Sequence, residues 1–522
     1  MFSRAELVGK NPIWLLRFSW IGRDWYFSTR TITPLTADGE ALPHTGQLSD
    51  IRLDGAFDLL TDSPSSRSAN FEVHLDVDVA DLVAKGADLN SAEGELSLWI
   101  EGTTYEKREV MLVGDVLSPG YGASSEPINF AIEERIYDDR SSTLSASQII
   151  TSSNWPNLAT SSEGQYYPLV FGTPGVYGGS TTKGSPAYLV NYQAGIGQMV
   201  IAGHRVSAST VTVVNANDAT TASLSVSHEI DSSGNEVALV NIHGSAVTKS
   251  HTDKYFITWN GGSALEIGSG LSVTNAGQLL EYALERTTIG VDRGRLAVVK
   301  PSIEALNVSG YIDEPSSWYD WFLDNLAPLL PISLLRSEVG IYATRWRPDA
   351  NRSSAVEDLY AGEGLFRSSS VSYVGEPINQ IRINYALDVS SRSYLKNAII
   401  GPRLIDVPSN YVESLAATTS ETRYGLRIGD ELESDLLYNE TDALFVAKWR
   451  IQAFSFPRRE ITYDADPIYA WIAQGSIVTI TDPDLSLYSV PCLWSTQWDG
   501  GRLSARLLIL SNPNLDVGDS SG

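Results

Sequence analysis

From residue 71 to residue 79 the chain reads FEVHLDVDV, a strict apolar–polar alternation over nine positions. Side chains of an extended strand point to opposite faces in turn, so this run predicts a strand with one face in a core and one outside. Its outward positions are Glu72, His74, Asp76 and Asp78. Comparable short runs surround it. Residues 14–20 and 24–29 flank Ile21, Gly22 and Arg23 and predict a hairpin; residues 96–101, 110–114 and 128–132 predict further strands. A short helix is expected at about 81–85. At least six strands at this spacing favour a small barrel or sandwich in the first 135 residues.

The rest of the chain extends the pattern. At 522 residues it is long enough for three or four domains. Residues 155–275 are rich in Gly, Ser, Thr, Val and Ala, with strands expected at 199–204, 211–214, 238–242 and 255–259, so an all-β insertion domain is predicted. Helices are predicted at 277–286 behind an Asn275 cap, at 316–326 with a serine cap and a stop near Pro328 and Pro331, and from about 441 to 456. Strands are expected again at 339–344, 380–385, 460–463, 476–481 and 503–510. The fold class predicted is mainly β with a few helices, multidomain. Its divisions are 1–150, 155–275, an α+β domain at 276–370, a second β-barrel domain at 371–511 containing the 441–456 helix, and a flexible tail at 512–522.

Charge narrows the function. There are 63 acidic residues against 37 basic ones, a formal net of −26. Such a surface repels a phosphate backbone, which disfavours gripping DNA or RNA. Two readings stay open: plain solubility, or a surface past which nucleic acid slides without sticking. Between residues 72 and 115 there are 11 acidic residues and three basic ones, Lys85, Lys107 and Arg108. The outward carboxylates Glu72, Asp76 and Asp78 are therefore either a solvated outer face or an acidic wall toward a channel or a partner.

Signals for chemistry are sparse. The six histidines show no helical metal spacing, and His243 and His251 are the nearest pair. Cys492 is the only cysteine and sits in an apolar run, so it is expected to be a buried thiol; an internal disulfide is excluded. Residues 231–236 have the composition of a calcium loop without flanking helices and are expected to be a turn. Residues 13–21 lack the cleavage site of a secretory signal, and no run is long and apolar enough for a membrane helix. Paired carboxylates beside tryptophans are the enzyme alternative: Asp313 and Glu314 near Trp318 and Trp321, or Asp499 near Trp494 and Trp498, as in glycoside hydrolysis. A carbohydrate-binding version would use Tyr188, Tyr192 and Trp259 as a platform.

Three stretches together resemble bacteriophage tail hub proteins, the siphophage tail-tip hubs, and are similar to myophage baseplate hubs and to the hub module of lambda-type tail-tip proteins. They are the 14–29 hairpin with 71–79, 99–115 and Ser118-Pro119-Gly120-Tyr121-Gly122; the segment YPLVFG at 167–172; and 461–483 with 503–510 behind the 441–456 helix. The resemblance implies two tube-like β-barrels per chain, one near 1–150 and one rebuilt from about 370–395 and 457–511. It implies a homotrimer that joins a sixfold tail tube and distal tail protein to a threefold tip or central fibre. It further implies a virion location at the tail tip after assembly in the host cytoplasm, with genomic DNA passing through a channel and the tape measure protein nearby. A structural rather than catalytic role and no cofactor are expected. The alternative kept beside it is a carbohydrate-binding or glycoside-hydrolysing tail-tip module.

Overall fold

The computed structural model describes residues 12–20, 22–54, 67–74, 92–120, 127–134, 144, 148–193, 196–215, 223–243, 254–259, 266–267, 271–337, 339–347, 350–367, 371–499 and 502–510. The expected helix at 81–85, the strand half 75–79, Tyr121 and Gly122, and the tail 512–522 lie outside them. The chain forms two compact units, one of 1–138, 332–376 and 456–522, the other of 139–331 and 377–455. Both are dominated by strands, as expected from sequence.

The first unit is organised by one 14-stranded sheet. Its strands run in the order Arg23–Ser28, Ile13–Trp20, Glu93–Trp99, Glu109–Gly120, Ile128–Glu133, Ser68–Val73, Leu48–Asp54, Leu487–Asp499, Arg502–Ile509, Arg458–Ala465 and Leu365–Arg367. Ser372–Val374 also pairs with Arg458–Ala465, while Ile477–Asp482 lies on Leu487–Asp499 and carries Asp358–Tyr360 in parallel. The expected hairpin is present: Leu16 pairs with Phe27 and Phe18 with Trp25. Its turn needs Gly22 at φ +71°, a conformation that costs little only without a Cβ.

The two chain ends meet where Leu48–Asp54 pairs with Leu487–Asp499, Leu53 opposite Trp498. The core follows the alternation. Phe71 and Val73 are buried with Trp14, Phe18, Phe130 and Ile132, and the same cluster continues into Trp494, Trp498, Leu503 and Leu507. Phe71 stacks on Phe130 at 6.0 Å, and Trp14 meets Trp498 edge-on at 5.0 Å. A single apolar layer thus carries side chains from both ends of the chain. Gly94 is required by close packing, since a Cβ there would lie 2.3 Å from Ile132 Cδ1.

The second unit contains a closed six-stranded barrel, in the order Ser185–Gln193, Ile196–Ala202, Glu236–His243, Leu224–Ile230, Thr210–Asn215 and Tyr255–Trp259. All six strands fall in the region read as all-β. Closure removes every open edge. Helix α1 (Ala276–Leu284) follows, capped by Asn275, whose side chain accepts from the Gln278 amide at 2.9 Å. The expected helix at 316–326 begins as α3 (Trp318–Trp321), capped by Ser317, and continues as a π turn over Phe322–Leu326. The last helix, α5 (Glu440–Phe454), packs on a four-stranded sheet whose centre is Ile381–Asp388 and Ser393–Gly401.

Among the described residues, two α-helices were not foreseen. Helix α2 (Arg293–Ile303) contains Pro301, and α4 (Leu415–Tyr424) buries only Ala416, Ala417 and Ser420. Helix α2 buries the narrow stripe Leu296, Val299 and Ile303, while α4 has no apolar stripe of helical period. Residues 377–455 belong with the middle of the chain because α5 is fastened there. Trp449 donates its indole N–H to the Leu329 carbonyl at 2.9 Å, Arg450 reaches the Pro328 carbonyl, and Asp442 accepts from the Asn307 amide at 3.0 Å.

Candidate functional site

Strand register, more than any local motif, builds the notable surface of the first unit. Glu72 lies on the face opposite Phe71 and Val73, partly exposed, between Ser49 and Asn129 on the neighbouring strands. Asp76 and Asp78 lie outside the described residues. Two places back along the same face is Asn70, and four places back is Ser68.

Ser68 belongs to a cross-strand row that traverses eleven strands. In order the row is Asp24, Ser19, Glu93, Asp115, Glu133, Ser68, Asp54, Gln497, Ser504, Asp464 and Phe366, each directly opposite the next. Directly opposed residues share a face, and strands lie about 4.8 Å apart, so the row extends over roughly 50 Å of sheet. Six of the eleven positions are Asp or Glu and none is Lys or Arg, in a chain with 63 acidic residues in 522. Glu93, Asp115 and Glu133 are consecutive in it.

Local bonds join two of its neighbouring pairs. Ser19 donates to Asp24 at 2.6 Å, and the Gln497 amide donates to Asp54 at 3.1 Å. Arginines stand beside acids in the adjacent rows, and one of them, Arg17, also lies 3.8 Å from Asp24 of this row. Buried Glu95 lies between Arg17 at 2.8 Å and Arg108 at 2.7 Å. Arg506 grips Glu460 through two oxygens, and Arg52 faces Asp499 at 3.4 Å.

The carboxylate–tryptophan sets are not assembled as open sites. Trp318 is fully buried, as is Trp494; Trp321 and Trp498 are nearly so. Asp499 is exposed and directed to Arg52. Asp313 is half-buried and accepts from the Tyr188 hydroxyl; burial pushes its carboxyl up, and the neighbouring Glu314 adds to that. The aromatic platform is not formed either. Trp259 lies inside the barrel core, donating to Ser185 Oγ at 3.0 Å, while Tyr188 and Tyr192 are partly buried.

The remaining candidates have structural uses. Cys492 is fully buried, and burial raises its thiol. Residues 231–236 form the expected turn: Asp231 accepts from the amides of Ser233 and Asn235, from the Asn235 side chain and from the Tyr167 hydroxyl, each at 2.9 Å. Those bonds occupy both its oxygens. Among the described residues no group of three His, Cys, Asp or Glu is placed to hold a metal; His251 lies outside them.

No protein-family model matches the chain, and no curated protein matches it. Its structural neighbours are phage tail proteins and related assemblies. It is similar to the 43 kDa tail protein of prophage MuSo2 from Shewanella oneidensis, at 8% identity over 95% of this chain and 98% of that one, with a TM-score of 0.38. It is similar to prophage tail protein gp18 from Listeria monocytogenes, at 8% identity over 92% and 94%, with a TM-score of 0.33. It is similar to a chain of the PdpA–VgrG complex, at 6% identity over 96% of this chain and 66% of that one, with a TM-score of 0.32.

Proposed function

We propose that this chain is a structural protein of a phage tail tip, assembling as a trimeric hub around the channel through which DNA leaves. The observation that carries this is the 14-stranded sheet. Strands from both ends of the chain close on each other, and the row across both halves is acidic from Asp24 to Asp464. Repulsion between that row and a phosphate backbone suits a wall past which DNA slides. A cationic wall of the same extent would retain it.

In this assignment three chains, each contributing two sets of tube-like strands, present a pseudo-sixfold ring to the tail tube and distal tail protein and a threefold face to the tip or central fibre. The tape measure protein would occupy the channel before the DNA. The role is structural rather than catalytic. Glu72 lies on the channel-facing side of the sheet, and Asp76 and Asp78 are proposed to continue it.

Light scattering on the purified chain tests the stoichiometry. A particle of three times the 56.8 kDa chain mass is expected. A monomer at every concentration contradicts the proposal.

A further inference from the structure

Two histidines of the second unit are used in a way the hub assignment does not require. His204 follows the barrel strand Ile196–Ala202. Its Nδ1 faces the Arg205 carbonyl at 2.8 Å, and its Nε2 faces the backbone N–H of Val170 at 2.9 Å. Only one neutral tautomer satisfies both: Nδ1–H donates and Nε2 accepts. His228, on the barrel strand Leu224–Ile230, likewise accepts through Nε2, from the Val206 amide at 3.2 Å. One imidazole therefore ties the barrel to Val170, and the other ties the segment behind the first imidazole to the barrel wall.

Val170 lies on Leu169–Phe171, a strand that pairs with Gly310–Ile312 outside the barrel. Beside the His204 tie, the Gly203 amide donates to the Pro168 carbonyl at 2.8 Å and the Tyr167 hydroxyl to Asp231 at 2.9 Å. Val170 and Val206 are both buried, so an amide that loses its imidazole acceptor there has no ready access to water.

We propose that His204 forms an acid-sensitive latch that moors the six-stranded barrel onto the 167–173 segment, and that protonation opens it. A proton on His204 Nε2 sets its N–H against that of Val170, which converts the tie into a repulsion. The charged and titratable groups facing His204 are Arg286 from the end of α1, His228, Glu236 on the barrel strand Glu236–His243, and the adjacent Arg205. Arg205 pairs with Glu236 at 3.2 Å. Burial, with help from Arg286 and His228, lowers His204 to about 4, outweighing the pull of the Arg205 carbonyl and Glu236. The latch therefore stays shut in neutral and mildly acidic solution and opens only in stronger acid.

Hydrogen exchange on the full chain, read by mass spectrometry over 167–173 and 203–208, tests this. The wild type is compared with the H204Q variant, whose glutamine oxygen still accepts an N–H but does not titrate. At neutral pH the two chains are expected to match. Near pH 4, after correction for intrinsic rates, the wild-type segments should exchange about tenfold faster than those of the variant. Parallel loss of protection in both chains, or none in the wild type, overturns the proposal. Histidine C2–H exchange on the unmodified protein provides a readout independent of the variant's folding: a His204 midpoint near the ordinary 6.5, with both segments still protected below it, also overturns it.

Discussion

Arg67 and Glu134, 67 residues apart, form a two-point ion pair with no solvent exposure at the carboxylate: Nε to Oε2 at 2.8 Å and Nη2 to Oε1 at 2.5 Å. Burial opposes the guanidinium charge, but the Glu134 carboxylate outweighs it and holds the arginine above its usual range. The pair also accepts the Arg336 amide at 3.0 Å and donates to the Arg336 carbonyl at 2.6 Å. It thereby ties the strand entering at Ser68 to the Ile332–Arg336 strand.

Removing one partner strands a buried charge. E134A should cost about 3–5 kcal/mol in urea unfolding of the first unit, whereas R67M/E134L, which removes both charges, should cost markedly less. Equal losses in the two variants would contradict this account of the pair.

The edge-on contact of Trp14 with Trp498 joins the two chain ends inside one core. W498A should cost about 3–5 kcal/mol. In limited proteolysis it should expose both the N-terminal and the C-terminal strands; cleavage confined to one end would count against a shared core.

Asp388 offers a stability change in acid. Burial pushes its carboxyl up, but hydrogen bonds from Thr182, Ser390 and Ser391 outweigh that and hold it at about 2. A carboxyl lower in the folded than the unfolded chain contributes stability above its ordinary 3.8, and that contribution fades as pH falls from there toward about 2. D388N should be less stable than wild type near neutrality and should converge on it as pH falls through this window. A constant difference down to pH 2 would refute the assignment.

Asp231 organises its turn through bonds to Ser233, Asn235 and Tyr167, not through an ion. D231A should destabilise the second unit by about 1–3 kcal/mol. Neither calcium nor a chelator should move the melting temperature of the wild type, and a calcium-dependent rise would overturn this.

Much of the fold was legible because local patterns coincide with the final burial. The alternation at Phe71–Val73, the Gly22 turn and the Asn275 cap each express one physical requirement within a few residues. The acidic row was not legible. Glu93, Asp115 and Glu133 are about twenty residues apart in sequence and become neighbours only through register, which bulges such as that between Leu96 and Ser97 adjust. Tryptophans beside carboxylates do not by themselves mark a sugar site, because an indole serves a sheet core as well as an open platform; Trp259, Trp318 and Trp494 are all interior. Helix α4 escaped notice because it is held by small residues, without an apolar stripe.

The central claim is a threefold assembly with the carboxylate row along its channel. Electron microscopy of the purified assembly tests it most directly, at a resolution that separates the strands of the sheet. The account predicts a threefold ring with a central hole and Glu93, Asp115, Glu133 and Asp464 directed toward it. A ring that carries this row on its outer perimeter, or no ring at all, would contradict the account.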